Sequence, residues 1–109
     1  MEKSSLTALA RELLAAAKTK SSGRSSRTVV GGHERVLRQT LVALTSGNSL
    51  DEHDNPGEAT VQVLRGRVLL RCGDVEWEGS PGDHLVVPQA RHSVHALEDS
   101  AFLLTVAKP

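Results

Sequence analysis

Five histidines carry most of the reactive potential of this 109-residue chain. An imidazole titrates near neutrality, can act as general acid or base, and in its neutral form is the commonest protein ligand for a transition metal. Two of the five have a distinctive surround. His53 lies in Gly47-Asn48-Ser49-Leu50-Asp51-Glu52-His53-Asp54-Asn55, which runs on to Val63-Leu64-Arg65-Gly66, and His92 closes Pro81-Gly82-Asp83-His84-Leu85-Val86-Val87-Pro88-Gln89-Ala90-Arg91-His92. His33, in Gly31-Gly32-His33-Glu34, and His95, of opposite parity to His92, read as surface residues, and His84 is open to either face. Other chemistries find little support. Cys72, the only cysteine, excludes an internal disulfide and any multi-cysteine zinc site, and in the alternating run Arg67-Val68-Leu69-Leu70-Arg71-Cys72 it reads as a small buried residue rather than a nucleophile. No Gly-Lys-Ser/Thr follows Gly31-Gly32, so there is no phosphate loop. Asp51, Glu52 and Asp54 read as solvated turn charges around His53, with no serine or cysteine set up for a triad.

The elements that must position these histidines change character along the chain. Leu6, Leu9 and Leu13, with Ala10 and Ala17, follow helical spacing, and Ser4 or Ser5 can cap the start, which predicts a short amphipathic helix over residues 5–18. Its apolar stripe is narrow and alanine-rich, so it must lean on the body of the protein or on a second copy. Residues 19–28, TKSSGRSSRT, contain nothing apolar and read as a solvated linker. From Val36 onward the period becomes two, with strand candidates over 36–45, 59–64, 67–72, 74–78, 84–88, 92–97 and 101–107, separated by turn residues and never by a helix-length gap. Val68, Leu70, Val75 and Trp77 alternate with charged residues and are assigned to the buried face. The chain thus divides into a helix over 1–18, a flexible serine-rich basic linker over 19–32 and an antiparallel sandwich or barrel over 33–109.

Composition narrows the function classes. Thirteen Lys and Arg balance thirteen Asp and Glu, so no net field draws the chain to polyanions. The balance conceals an asymmetry, because residues 1–40 hold eight basic and three acidic side chains while the remainder hold five and ten. One Phe, one Trp and no Tyr leave no base-stacking platform, which disfavours nucleic acid as a partner. No stretch approaches the length of a membrane span, Lys3, Arg11 and Lys18 are too few for a membrane-surface helix, and Arg11, Glu12 and Glu2 spoil a signal-peptide reading. A cytoplasmic protein is the expectation.

The two histidine-bearing segments resemble the paired motifs of the cupin superfamily: a Gly, a His-x-His pair, a Glu and a closing Gly after a V-L-x-G turn, then a Gly-Asp, a Pro and a final His. The resemblance spans residues 36–107 and implies a small antiparallel double-stranded β-helix barrel, which agrees with the period-two pattern read independently. It also implies a metal site of His residues and a Glu. On this chain that site maps to His53 and His92, with Asn55 in place of the second His and Ala59 in place of the Glu. Glu58, one residue away, is the nearest carboxylate and needs a bulge to face inward. A loosely held divalent metal (iron, manganese, zinc or nickel) on His53, His92 and Glu58 is therefore the implied cofactor.

Three functions of different class follow. The first is a small-molecule-binding barrel, with or without such a metal, whose ligand sits among His53, Asn55, Gln62 and His92. The second is a metal-dependent enzyme of dioxygenase or isomerase type, which needs a third ligand beyond His53 and His92. The third is a regulatory or structural module whose basic arm contacts a partner. In all three a homodimer is expected, because related barrels pair edge to edge and short antiparallel sheets leave edges that benefit from cover.

Overall fold

The computed structural model describes residues 1–53 and 57–107, and of Glu52 and His53 the backbone alone. Helix α1 (Leu6–Lys18) begins where the Ser5 hydroxyl accepts the Ala8 amide at 3.2 Å and ends at Thr19, whose amide returns to the Ala16 carbonyl. Its buried residues, Ala10, Leu13, Leu14 and Ala17, stand three, four and seven apart and form one stripe. Nine strands follow: β1 (Arg24–Val30), β2 (Leu37–Leu44), β3 (Ser49–His53), β4 (Glu58–Arg65), β5 (Val68–Cys72), β6 (Val75–Gly79), β7 (His84–Val87), β8 (His92–Ala96) and β9 (Ser100–Ala107). They pair antiparallel into a five-stranded sheet, ordered β1-β2-β9-β4-β7, and a four-stranded sheet, ordered β3-β8-β5-β6.

Alternation along the strands builds two cores. Between the sheets lie Val42, Leu44, Ala59, Val61, Val63, Val68, Leu70, Val87, Val94, Ala96 and Phe102, contributed by both. On the outer face of the five-stranded sheet, Leu41, Ala43, Ala101 and Leu103 meet the α1 stripe. The helix thus covers its own barrel, and the small side chains of Ala10 and Ala17 let it approach closely. Ion pairs Lys18–Asp99 (3.6 Å) and Arg27–Glu12 (3.7 Å) flank the contact, but both are largely exposed and each is worth at most about 1 kcal/mol.

Three expectations need correction. Residues 24–30, assigned to the linker, form strand β1, in register with β2 from Arg24 opposite Leu44 to Val30 opposite Gln39. Composition misled because the strand's pairing is backbone hydrogen bonding, its helix-facing side is small or charged (Ser25, Arg27) until Val29, and Arg24 and Ser26 on its barrel-facing side border an opening rather than the core. Residues 49–53, which no strand candidate covered, form β3. Val75 is 67% exposed although it shares the inward parity of Trp77, because it sits at the tip of the β5–β6 hairpin on the outermost strand of its sheet, beyond the reach of the core.

One glycine is required where β4 passes into β5. Gly66 has φ +75°, and a Cβ there would collide with the Asp99 carbonyl oxygen and Ser100 Oγ. Ser100 cannot give way easily, because it is fully buried and its hydroxyl is shared between the carbonyls of Arg67 (2.9 Å) and Glu98 (2.7 Å). Gly66→Ala should therefore lose at least about 2 kcal/mol in urea unfolding, from the left-handed backbone and the clash together. A loss under half that would show that the turn relaxes.

Candidate functional site

Strands β3 and β8 pair Ser49 with His95, Leu50 with Val94, and His53 with His92, with a register shift between Leu50 and His53. Two β3 residues oppose Ser93 alone, so the shift is a bulge, and it restores His53 to the register position opposite His92. His92 is 3% exposed and shares the parity of Val94 and Ala96, which face the inner core. Its Nδ1 donates to the Ala90 carbonyl at 3.0 Å. Because a carbonyl only accepts, the neutral ring carries its proton on Nδ1 and its lone pair on Nε2, the form that accepts a hydrogen bond or binds a metal.

The other candidates separate from this pair. Glu58 and Gln62 are exposed and alternate along β4 with Ala59, Val61 and Val63, which are in the core. They therefore lie on the outer side of the five-stranded sheet, and β4 has no bulge at Glu58 that would turn it inward: its register runs evenly from Glu58 opposite Ala107 to Val63 opposite Phe102. Asn55 lies outside the described residues, as does the His53 side chain. Among the described residues no group of three or more His, Cys, Asp or Glu side chains is placed to hold a metal ion.

His95 faces outward, as its parity predicts, but is not freely solvated. It is half-buried on the outer face of the four-stranded sheet, with Nδ1 2.9 Å from Ser49 Oγ and Nε2 2.9 Å from Ser93 Oγ. The parity that removed it from the His92 face placed it beside Ser93, a neighbour visible in the sequence.

A cavity of about 450 Å³ opens between the free edges of the two sheets, β1 on one side and β3 on the other. Exposed Lys20, Arg24 and Ser26 form its rim, half-buried Thr40, Leu50 and Leu104 its walls, and buried Val42 its floor. Leu50 pairs with Val94, and His92 stands one two-residue repeat, about 7 Å, along β8 from that residue on the same face. Sequence reasoning missed the rim because it dissolved residues 19–28 into a linker. The available signal was Thr28-Val29-Val30, a β-branched run that continues from the serine-rich stretch.

No family model and no curated protein sequence matches the chain. Solved structures do. A conserved protein of unknown function from Streptococcus pyogenes superposes with a TM-score of 0.74 at 28% identity, over 83% of this chain and 78% of that one. An RmlC-like cupin from Desulfovibrio desulfuricans gives 0.68 at 25% identity, over 77% and 81%. Other neighbours carrying the cupin name agree. The chain has the fold of a small cupin-type domain. An HTH_3 family transcriptional regulator from Vibrio cholerae superposes with a TM-score of 0.68 at 19% identity, over 79% of this chain but 51% of its own, so the same fold also occurs within a longer regulator. The cupin fold is established by these likenesses, and the function has to be argued from the site.

Proposed function

We propose that this cupin domain binds a small molecule at the mouth of its barrel, in the space between the β1–β3 opening and His92. The observation that carries the reading is the cavity of about 450 Å³, which falls within the range of about 300–1,000 Å³ typical of small-molecule pockets and combines an apolar floor with a few polar groups. His92, behind that lining, supports it as a buried imidazole on the inner face whose ring is oriented by the Ala90 carbonyl. A screen by melting temperature tests it. At a concentration a hundredfold above its Kd, a ligand stabilises by about 2.7 kcal/mol, a shift of roughly 10 °C or more in a domain of this size. His92→Ala should abolish most of that shift while the unliganded barrel still melts cooperatively. A shift that survives His92→Ala unchanged would place the ligand elsewhere.

A second reading, a metal-dependent cupin enzyme, draws on the bulge that sets His53 opposite His92. Its remaining donors would have to come from the segment around Asn55, since Glu58 faces away. Elemental analysis of protein purified without a histidine tag separates the two: stoichiometric iron, manganese, zinc or nickel that is lost in His92→Ala favours the enzyme, and metal well below one equivalent favours the binding domain.

A further inference from the structure

We propose that the β1–β3 slot selects small molecules that carry a carboxylate on a short apolar body, with the acid held at Arg24 and Lys20 and the body laid over Val42, Leu50 and Leu104. This rests on the small-molecule reading above and specifies what kind of molecule it is.

Charge is the first argument. Lys18, Arg27, Arg67 and Arg71 each face a carboxylate of the protein at 2.9–3.9 Å. Among the described residues Lys20 and Arg24 make no ion pair, and no acidic side chain lines the cavity they rim. Two cations that no described carboxylate pairs, at the entrance of a concave apolar surface, create a local positive potential in a chain that is neutral overall.

Geometry supplies the second argument. Arg24 and Ser26 share one face of β1, since they oppose Leu44 and Val42, whose side chains belong to the inner core. Thr40 continues that face on β2, adding a second hydroxyl to it beside Ser26. A planar guanidinium engages a carboxylate through two parallel N–H donors, Lys20 adds a point charge, and the hydroxyls of Ser26 and Thr40 can donate to a remaining oxygen lone pair. One arginine fork suits a carboxylate better than a phosphate, which calls for donors around three oxygens. Beneath the polar rim the surface turns apolar, so a bare anion leaves most of the cavity unfilled, while an acid with a hydrocarbon body fills both parts.

Titration of the full chain, followed by amide chemical shifts, tests this with three probes of one size: hexanoate, 1-hexanol and hexylammonium. The expected result is saturable binding of hexanoate, with shifts at β1, Leu50 and Leu104, roughly tenfold or more tighter than hexanol and weakened by added salt. Arg24→Gln should remove most of that advantage and leave hexanol binding unchanged; Lys20→Gln, in the turn after α1, should act in the same direction and serves as the independent variant if Arg24→Gln perturbs the strand. Hexanol binding as tightly as hexanoate, hexylammonium binding more tightly, or hexanoate affinity unaffected by either substitution would overturn the acid preference while leaving the small-molecule reading in place. If none of the three probes perturbs the slot, both readings fail at this site.

Discussion

Phe102→Ala should destabilise the domain by about 3–5 kcal/mol, the largest effect expected from any single truncation in the chain. Phe102 is fully buried on β9, with Val42 opposite it on β2 and Val63 opposite it on β4, so it occupies the middle of the inner core. It is the only phenylalanine, and the one other aromatic, Trp77, is half-buried at the margin of that core. Nothing nearby is large enough to fill the void, and the flanking valines are stiff at χ1, so relaxation into the space is limited. Against a total stability of about 5–15 kcal/mol for a domain of this kind, the loss should bring the urea midpoint close to zero or lower the melting temperature by tens of degrees. Phe102→Leu, which keeps more of the volume, should recover more than half of it. A cost for the alanine variant below about 1 kcal/mol would mean that the two sheets do not close on this residue.

Removal of residues 1–18 should be nearly as severe. Leu13 and Leu14 are 4% and 5% exposed, and burying two leucines contributes about 3–6 kcal/mol before the entropy of ordering the helix is subtracted. The truncated chain also bares Leu41, Ala43, Ala101 and Leu103 as one continuous apolar face on the five-stranded sheet. Such a patch promotes association, so size-exclusion chromatography should show higher-order species together with a lowered urea midpoint. A monodisperse truncation with an unchanged midpoint would show that α1 is an appendage rather than a layer of the fold. Deleting residues 1–30 as a test of a regulatory arm is confounded for the same reason, since that cut removes α1 and strand β1 together.

The parts of the fold legible in the sequence are those in which burial and period coincide. Val68 and Leu70 between arginines, or Val61 and Val63 between Thr60, Gln62 and Leu64, announce both the strand and its inner face. The stripe of α1 was legible because its alanines and leucines repeat at helical spacing over 13 residues. Strand β1 was not, because backbone pairing leaves no trace in side-chain polarity. The site divides along the same line. His92 could be found because it stands at the head of an alternating strand. Glu58, one residue off a motif position, and Gln62 were drawn into the site as nearby oxygen donors, and strand parity, which the sequence already displayed, excludes them: each neighbours a core residue and must point the other way. Lys20, Arg24 and Thr40 were invisible because each enters the site through the approach of two sheet edges that are far apart along the chain.

Because β1 is held by its main chain and carries hydroxyls and charge toward the opening, positions 24, 26 and 28 can exchange side chains without disturbing either hydrophobic cluster. Surface substitutions of that sort usually alter stability by no more than about half a kcal/mol. Here the polar rim that meets the ligand's acid is written in residues outside the hydrophobic core, while the apolar wall of Val42, Leu50 and Leu104 is shared with it. A lineage carrying this domain could therefore retune its chemical preference by point substitution along a single polar strand, drifting from one small molecule to another while its thermal stability stays level.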